Sequence, residues 1–145
     1  MTLHVLVPLD GSTQPWPAFD HAISTYEGET IRALNVVDPI EDVFSDYDTS
    51  YYQADAHDRA VERGKRLGEQ AHERASNADI AQTTAIETTV ETGRPARTIT
   101  EYAVSNDVDH IVMGSHGRSG VSRILLGSVA ETVARRVPVP VTIVR

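Results

Sequence analysis

The chain has 145 residues, 40% of them hydrophobic, with 21 acidic against 13 basic side chains, no cysteine and a formal net charge of −8. This size fits one domain over residues 1–145 with a core of its own and leaves no room for a second. The lack of cysteine removes disulfides, thiol catalysis and cysteine-ligated metal, and the negative charge opposes non-specific binding to nucleic acid or anionic lipid.

The apolar runs are only a few residues long. The segment from Met1 to Asp10 has neither the basic start nor the long apolar stretch of an export signal. No export and no membrane span are expected, and the expected location is the cytoplasm. Lys65 is the only lysine, the other basic residues being arginines. An acidic, lysine-poor surface suggests a salt-adapted, haloarchaeal kind of source, although a GC-rich genome explains the preference for arginine equally well.

In chain order, Leu3 to Leu9 is an apolar, β-branched run ended by Pro8 and the turn residues Asp10, Gly11 and Ser12, which predicts a first strand. Gln14 to Tyr26 predicts a helix with Pro15 and Pro17 in its first turn. Ile31 to Val37 reads as a second strand. After Pro39 comes an acidic, tyrosine-rich segment, 40–52, expected to be a solvated loop, with a lid over a ligand or a docking surface as the alternative. Ala54 to Ala75 has the composition of a long helix, which Gly64 and Gly68 weaken by about 1 kcal/mol each relative to alanine, so that its apolar stripe must carry it. Ala85 to Glu91 alternates as a third strand, and Pro95 to Ser105 begins a helix on proline. Asp109 to Met113, Gly127 to Arg136 and Val139 to Val144 complete the pattern as strand, helix and strand. Strands that alternate with crossover helices require a mostly parallel, five-stranded sheet in a three-layer αβα sandwich. Ligands of such sheets sit beyond the carboxyl ends of the strands, at the switch point.

One motif stands at that end of the sheet. Gly114-Ser115-His116-Gly117 follows the fourth predicted strand, and after nine intervening residues comes Gly127-Ser128 at the start of the last helix. Polyphosphate is held best by backbone N–H groups, and glycine permits both close approach and the positive φ that aims several N–H groups at one anion. The helix start adds unpaired N–H groups and a serine hydroxyl. Gly114, Gly117, Gly127, Ser128 and the N–H of Val129 are therefore the candidate phosphate contacts. Arg118 and Arg123 lie in the intervening loop and can supply charge to outer phosphates, with plain solvation as the alternative; His116 is expected to face solvent. Asp10 in isolation reads as a helix cap or an Asx turn, and Val36 and Met113 as core residues.

The pattern Gly-x2-Gly-x9-Gly-Ser resembles that of the universal stress protein family. The segments Val7 to Ser12, Leu34 to Pro39, Thr92 to Ala96, Ile111 to Gly120 and Leu125 to Arg145 are similar to that family in the same order, across the whole chain except 40–54. The resemblance implies a Rossmann-like, adenine nucleotide alpha hydrolase-like fold and a bound adenine nucleotide. It implies that Pro8, Leu9 and Asp10 line an adenosine pocket, that the Val36 backbone recognises the adenine edge, and that Met113 forms an apolar wall. It also implies a homodimer formed through the strand Val139 to Val144, whose β-branched, alternating pattern already marks it as an edge open to pairing.

Competing constellations are missing. No Gly-x4-Gly-Lys-Ser/Thr and no Gly-x-Gly-x-x-Gly occurs, and the position of Lys65 in a helix rules against a phosphorelay receiver. The six histidines show no metal-ligand spacing, so no protein-bound metal is expected and Mg²⁺ or Mn²⁺ would ride on the phosphates. The favoured function is an ATP-binding (or ADP- or AMP-binding) stress-response dimer. Slow ATP hydrolysis is the alternative, with no water-positioning base identified, and a nucleotide-independent dimeric interaction protein is the third reading.

Overall fold

A computed structural model describes residues 2–9, 15–39, 50–115 and 126–145 of the chain, with the side chains of 50–54 set aside. The elements run β1 (His4–Pro8), α1 (Trp16–Thr25), β2 (Thr30–Val37), α2 (Ser50–Asn77), β3 (Ala85–Thr92), α3 (Pro95–Ser105), β4 (His110–Gly114), α4 (Ser128–Arg136) and β5 (Val141–Val144). The five strands form one sheet in the order β3-β2-β1-β4-β5, and every pairing is parallel. The strands β1 and β4 are short, apolar and largely buried, and a helix lies between each successive pair of strands, which is what a parallel sheet demands of its connections.

Strand alternation divides the core into two apolar layers. Val5, Val7, Ile31, Ala33 and Val112 point to one face, where they pack with Phe19, Ala22 and Ile23 of α1 and Ala71 and Ala75 of α2. Leu6, Leu34, Ile111 and Met113 point to the other, against Ile99 and Ala103 of α3 and Ala130 and Val133 of α4. The result is the αβα sandwich. Two charged clusters bracket it. Arg74 of α2 donates from Nε to Asp20 Oδ1 of α1 at 3.0 Å and lies 5.0 Å over the Trp16 ring. Arg32 of β2 donates to Glu87 of β3 at 2.6 and 2.8 Å, with its guanidinium over Tyr102 of α3.

Four expectations need correction. The helix α2 begins at Ser50, inside the segment expected to be a loop, and serine is a residue that favours helix starts. Its buried stripe consists of small residues, Ala56, Ala60, Gly64, Gly68, Ala71 and Ala75. The glycines thus set the approach of helix to sheet: a Cβ on Gly64 would stand 2.5 Å from Asn35 Oδ1, and one on Gly68 would stand 3.0 Å from Thr88 Cβ. The strand β5 is shorter than Val139–Val144, because Pro138 and Pro140 have no N–H to give the ladder; the Pro140 carbonyl still accepts the Ile111 N–H at 3.0 Å. Finally, Gly114 does not adopt the positive φ expected of it, and Gly117 lies outside the described residues. Gly127 has φ −61° and ψ 155°, and the described glycines with positive φ are Gly28 and Gly93.

Candidate functional site

The strand order reverses between β1 and β4, so the crevice of this sheet opens at the carboxyl ends of those two strands. Pro8 closes β1, and Leu9 follows it fully buried. The Leu9 N–H donates to the Leu34 carbonyl at 2.7 Å, extending the β1–β2 ladder by one rung. The Leu9 carbonyl is taken by the side-chain amide of Asn35, at 2.8 Å in a buried setting. Val36 lies one residue further along β2, half-buried, with its side chain against the layer that contains Met113.

Across the switch point, Met113 is buried and Gly114 ends β4. A Cβ built on Gly114 meets no atom of the described residues within 4 Å. Its glycine character therefore preserves access rather than a special backbone conformation. Ser115 is buried and joins three elements: its N–H donates to the Val144 carbonyl at the end of β5 at 3.0 Å, and its carbonyl accepts the Gly127 N–H at 2.7 Å. That second bond brings the start of α4 to the end of β4, with the eleven residues 116–126 between the bonded pair.

Gly127 is the N-cap of α4 and provides no side-chain cap. The Ser128, Val129 and Ala130 N–H groups consequently have no intrahelical acceptor, as at any helix start, and Ser128 is exposed. These donors, the helix dipole and the glycine at 114 form a surface suited to an anion. Glu131 in the first turn opposes an anion, but Arg135 engages it at 2.8 Å. Asp10, His116, Gly117, Arg118 and Arg123 lie outside the described residues.

Pro8, Leu9, Val36, Met113, Gly114, Gly127, Ser128 and Val129 are thus gathered at one end of the sheet. Two residues there escaped sequence reasoning. Asn35 was legible as the one amide in the second strand, between the apolar Leu34 and Val36; Ser115 lay inside the glycine motif and carried no separate signal. Among the described residues no group of three or more His, Asp or Glu side chains could hold a metal ion, and no helix is long and apolar enough to cross a membrane.

A parallel five-stranded α/β sandwich with a glycine at the switch point defines the architectural class. The model of the universal stress protein family matches residues 1–145, and the chain belongs to that family. Universal stress protein MJ0531 of Methanocaldococcus jannaschii is 33% identical over 144 residues, covering 97% of this chain and 81% of that protein. UspA from Lactobacillus plantarum superposes with a TM-score of 0.82 at 25% identity, covering 99% of this chain and 97% of its own. A universal stress protein solved in complex with cAMP superposes with a TM-score of 0.69 at 26% identity, covering 99% and 97%.

Proposed function

We propose that this chain binds an adenine nucleotide, ATP or its shorter relatives, in the crevice at the carboxyl ends of β1, β2 and β4. The observation that carries the reading is Gly114: a strand-end glycine whose Cβ position no described residue approaches, tied through Ser115 and Gly127 to a helix start without a side-chain cap. The cAMP complex of a relative at 26% identity supports adenine as the base. In this reading Gly114, Gly127, Ser128 and Val129 hold phosphate through backbone N–H groups, together with Gly117 and the charge of Arg118. Pro8, Leu9, Asp10 and Val36 border the adenosine, and Met113 provides an apolar wall. Mg²⁺ or Mn²⁺ enters with the phosphates, because hard cations prefer oxygen ligands.

Nucleotide occupancy then alters the surface of a cytoplasmic regulatory dimer formed across the free edge of β5. All four residues of that strand are half-buried, and its ladder partner among the described residues is β4 alone. Thermal unfolding with ATP, AMP or cAMP, with and without Mg²⁺, tests the proposal beside Gly114→Val. A ligand at 100 times its dissociation constant adds about 2.7 kcal/mol, which moves the midpoint by several degrees for a chain of this size. A shift in the parent and none in the variant supports the site; no shift in either overturns it. Phosphate release from Mg·ATP separates a binding module from a slow hydrolase.

A further inference from the structure

Ser115 is the first residue beyond β4, and its backbone is fully engaged. The N–H donates to the Val144 carbonyl at 3.0 Å, and the carbonyl accepts the Gly127 N–H at 2.7 Å. These two bonds fix where the residue stands without help from its side chain. The hydroxyl is placed differently. Ser115 is only 7% exposed, and its Oγ is buried with no hydrogen-bond partner among the described residues. A buried hydroxyl that makes no bond costs free energy that alanine at the same place would not. A group of this kind has its use with a ligand atom in place.

Strand alternation gives the direction of that side chain. Ile111 and Met113 face the layer that contains α3 and α4, and Val112 faces the other. Ser115 stands two residues after Met113 and extends the β4–β5 ladder through its N–H, so its side chain falls on the α4 side of the sheet. There α4 begins. It is nine residues long, its N-cap Gly127 provides no side-chain cap, and the N–H groups of Ser128, Val129 and Ala130 have no acceptor within the helix. The Gly127–Ser115 bond joins the hydroxyl-bearing residue to this first turn, one residue short of the free donors. The hydroxyl and the helix start thus share one corner of the crevice, and both can donate to the same anionic oxygen.

We propose that the Ser115 hydroxyl donates to an oxygen of the ligand's phosphate and thereby selects phosphorylated nucleotide over the bare nucleoside. The inference rests on the nucleotide reading of the crevice and adds to it a side-chain donor from the end of β4. An oxygen that carries negative charge receives bonds about twice as strong as a neutral acceptor does. Adenosine, which has no phosphate, leaves the hydroxyl as it is in the unliganded chain.

Two measurements on Ser115→Ala test this. Thermal unfolding of the unliganded variant gives a midpoint equal to or above that of the parent, because the substitution removes an unpartnered polar atom and leaves both backbone bonds in place. A lower midpoint means that the hydroxyl serves the fold, through water or a neighbour, and overturns the proposal. Calorimetric titration with Mg·ATP gives an affinity about tenfold weaker in the variant, with adenosine binding unchanged. An ATP affinity within about twofold of the parent, or an equal loss for adenosine, overturns the proposal. Where adenosine binds neither protein measurably, the ATP affinity and the unliganded midpoint decide together. A parent that fails to bind Mg·ATP overturns the nucleotide reading itself and the role of Ser115 with it; equal binding by parent and variant overturns the role of Ser115 alone.

Discussion

Gly64 and Gly114 are both glycines in regular elements, and opposite physics keeps them so. At Gly64 an added methyl would press on Asn35 Oδ1 at 2.5 Å and on Val90 Cγ2 at 3.1 Å. Helix propensity favours alanine by about 1 kcal/mol; overpacking costs about 1–3 kcal/mol. The second effect exceeds the first, so Gly64→Ala is expected to lower the urea midpoint without changing the slope of the transition. At Gly114 none of the described residues stands in the way of a methyl, and Gly114→Ala is expected to leave the midpoint within about 0.5 kcal/mol of the parent. The same variant should weaken nucleotide binding by roughly tenfold, about 1.4 kcal/mol, as measured by calorimetric titration. Asn35 is a third case. Asn35→Ala leaves the buried Leu9 carbonyl without its donor, an expected loss of about 1–3 kcal/mol in chemical unfolding.

Among the elements, α1 and α2 are clipped together where Arg74 reaches both Asp20 and the face of Trp16. Both ion-pair partners are nearly half exposed, so solvent screens the charge; the guanidinium–indole contact adds to what remains. Arg74→Ala is expected to cost about 1 kcal/mol in total and to red-shift and broaden the emission of Trp16, the sole tryptophan, as its ring gains water. Element boundaries also show what was legible beforehand. The start of α3 at Pro95 was readable because proline fits the first helical turn, and the order of strands and helices followed from period alone. The β5 boundary was misread because Val139 continues the apolar alternation, while the missing N–H of the flanking prolines is invisible to hydropathy. The glycines of α2 read as weak points because propensity is a local property, whereas their use is defined by Asn35 and Thr88 on strands distant in sequence. In the candidate site, the residue types of Gly114 and Gly127 were readable, but their reason was not. Neither has positive φ, and what distinguishes them is the absence of any described residue near the Cβ position of one and a bond to Ser115 at the other.

At the scale of the whole molecule, a charge of −8 on 145 residues repels itself in the compact state. Added salt screens that repulsion over about 10 Å at 0.1 M and about 3 Å at 1 M. Thermal midpoints are therefore expected to rise from low salt to molar KCl, and a flat or falling series would count against self-repulsion as a significant term. The crevice proposed for nucleotide sits in this negative field, so its affinity for a polyanion is expected to improve with Mg²⁺ more than a neutral host would require.

The position of β1 also governs how the chain reaches this state. It precedes the other four strands of the sheet in chain order, yet it lies at the centre of the sheet, and its second edge is filled only when Ile111 arrives beside Leu6. Until then a nascent chain has a hydrophobic strand with one edge bare, the arrangement most prone to pair with a neighbour. Translation that stalls before β4 should therefore yield a chaperone client, and release of a chain cut before residue 110 should yield aggregates in place of a smaller folded protein.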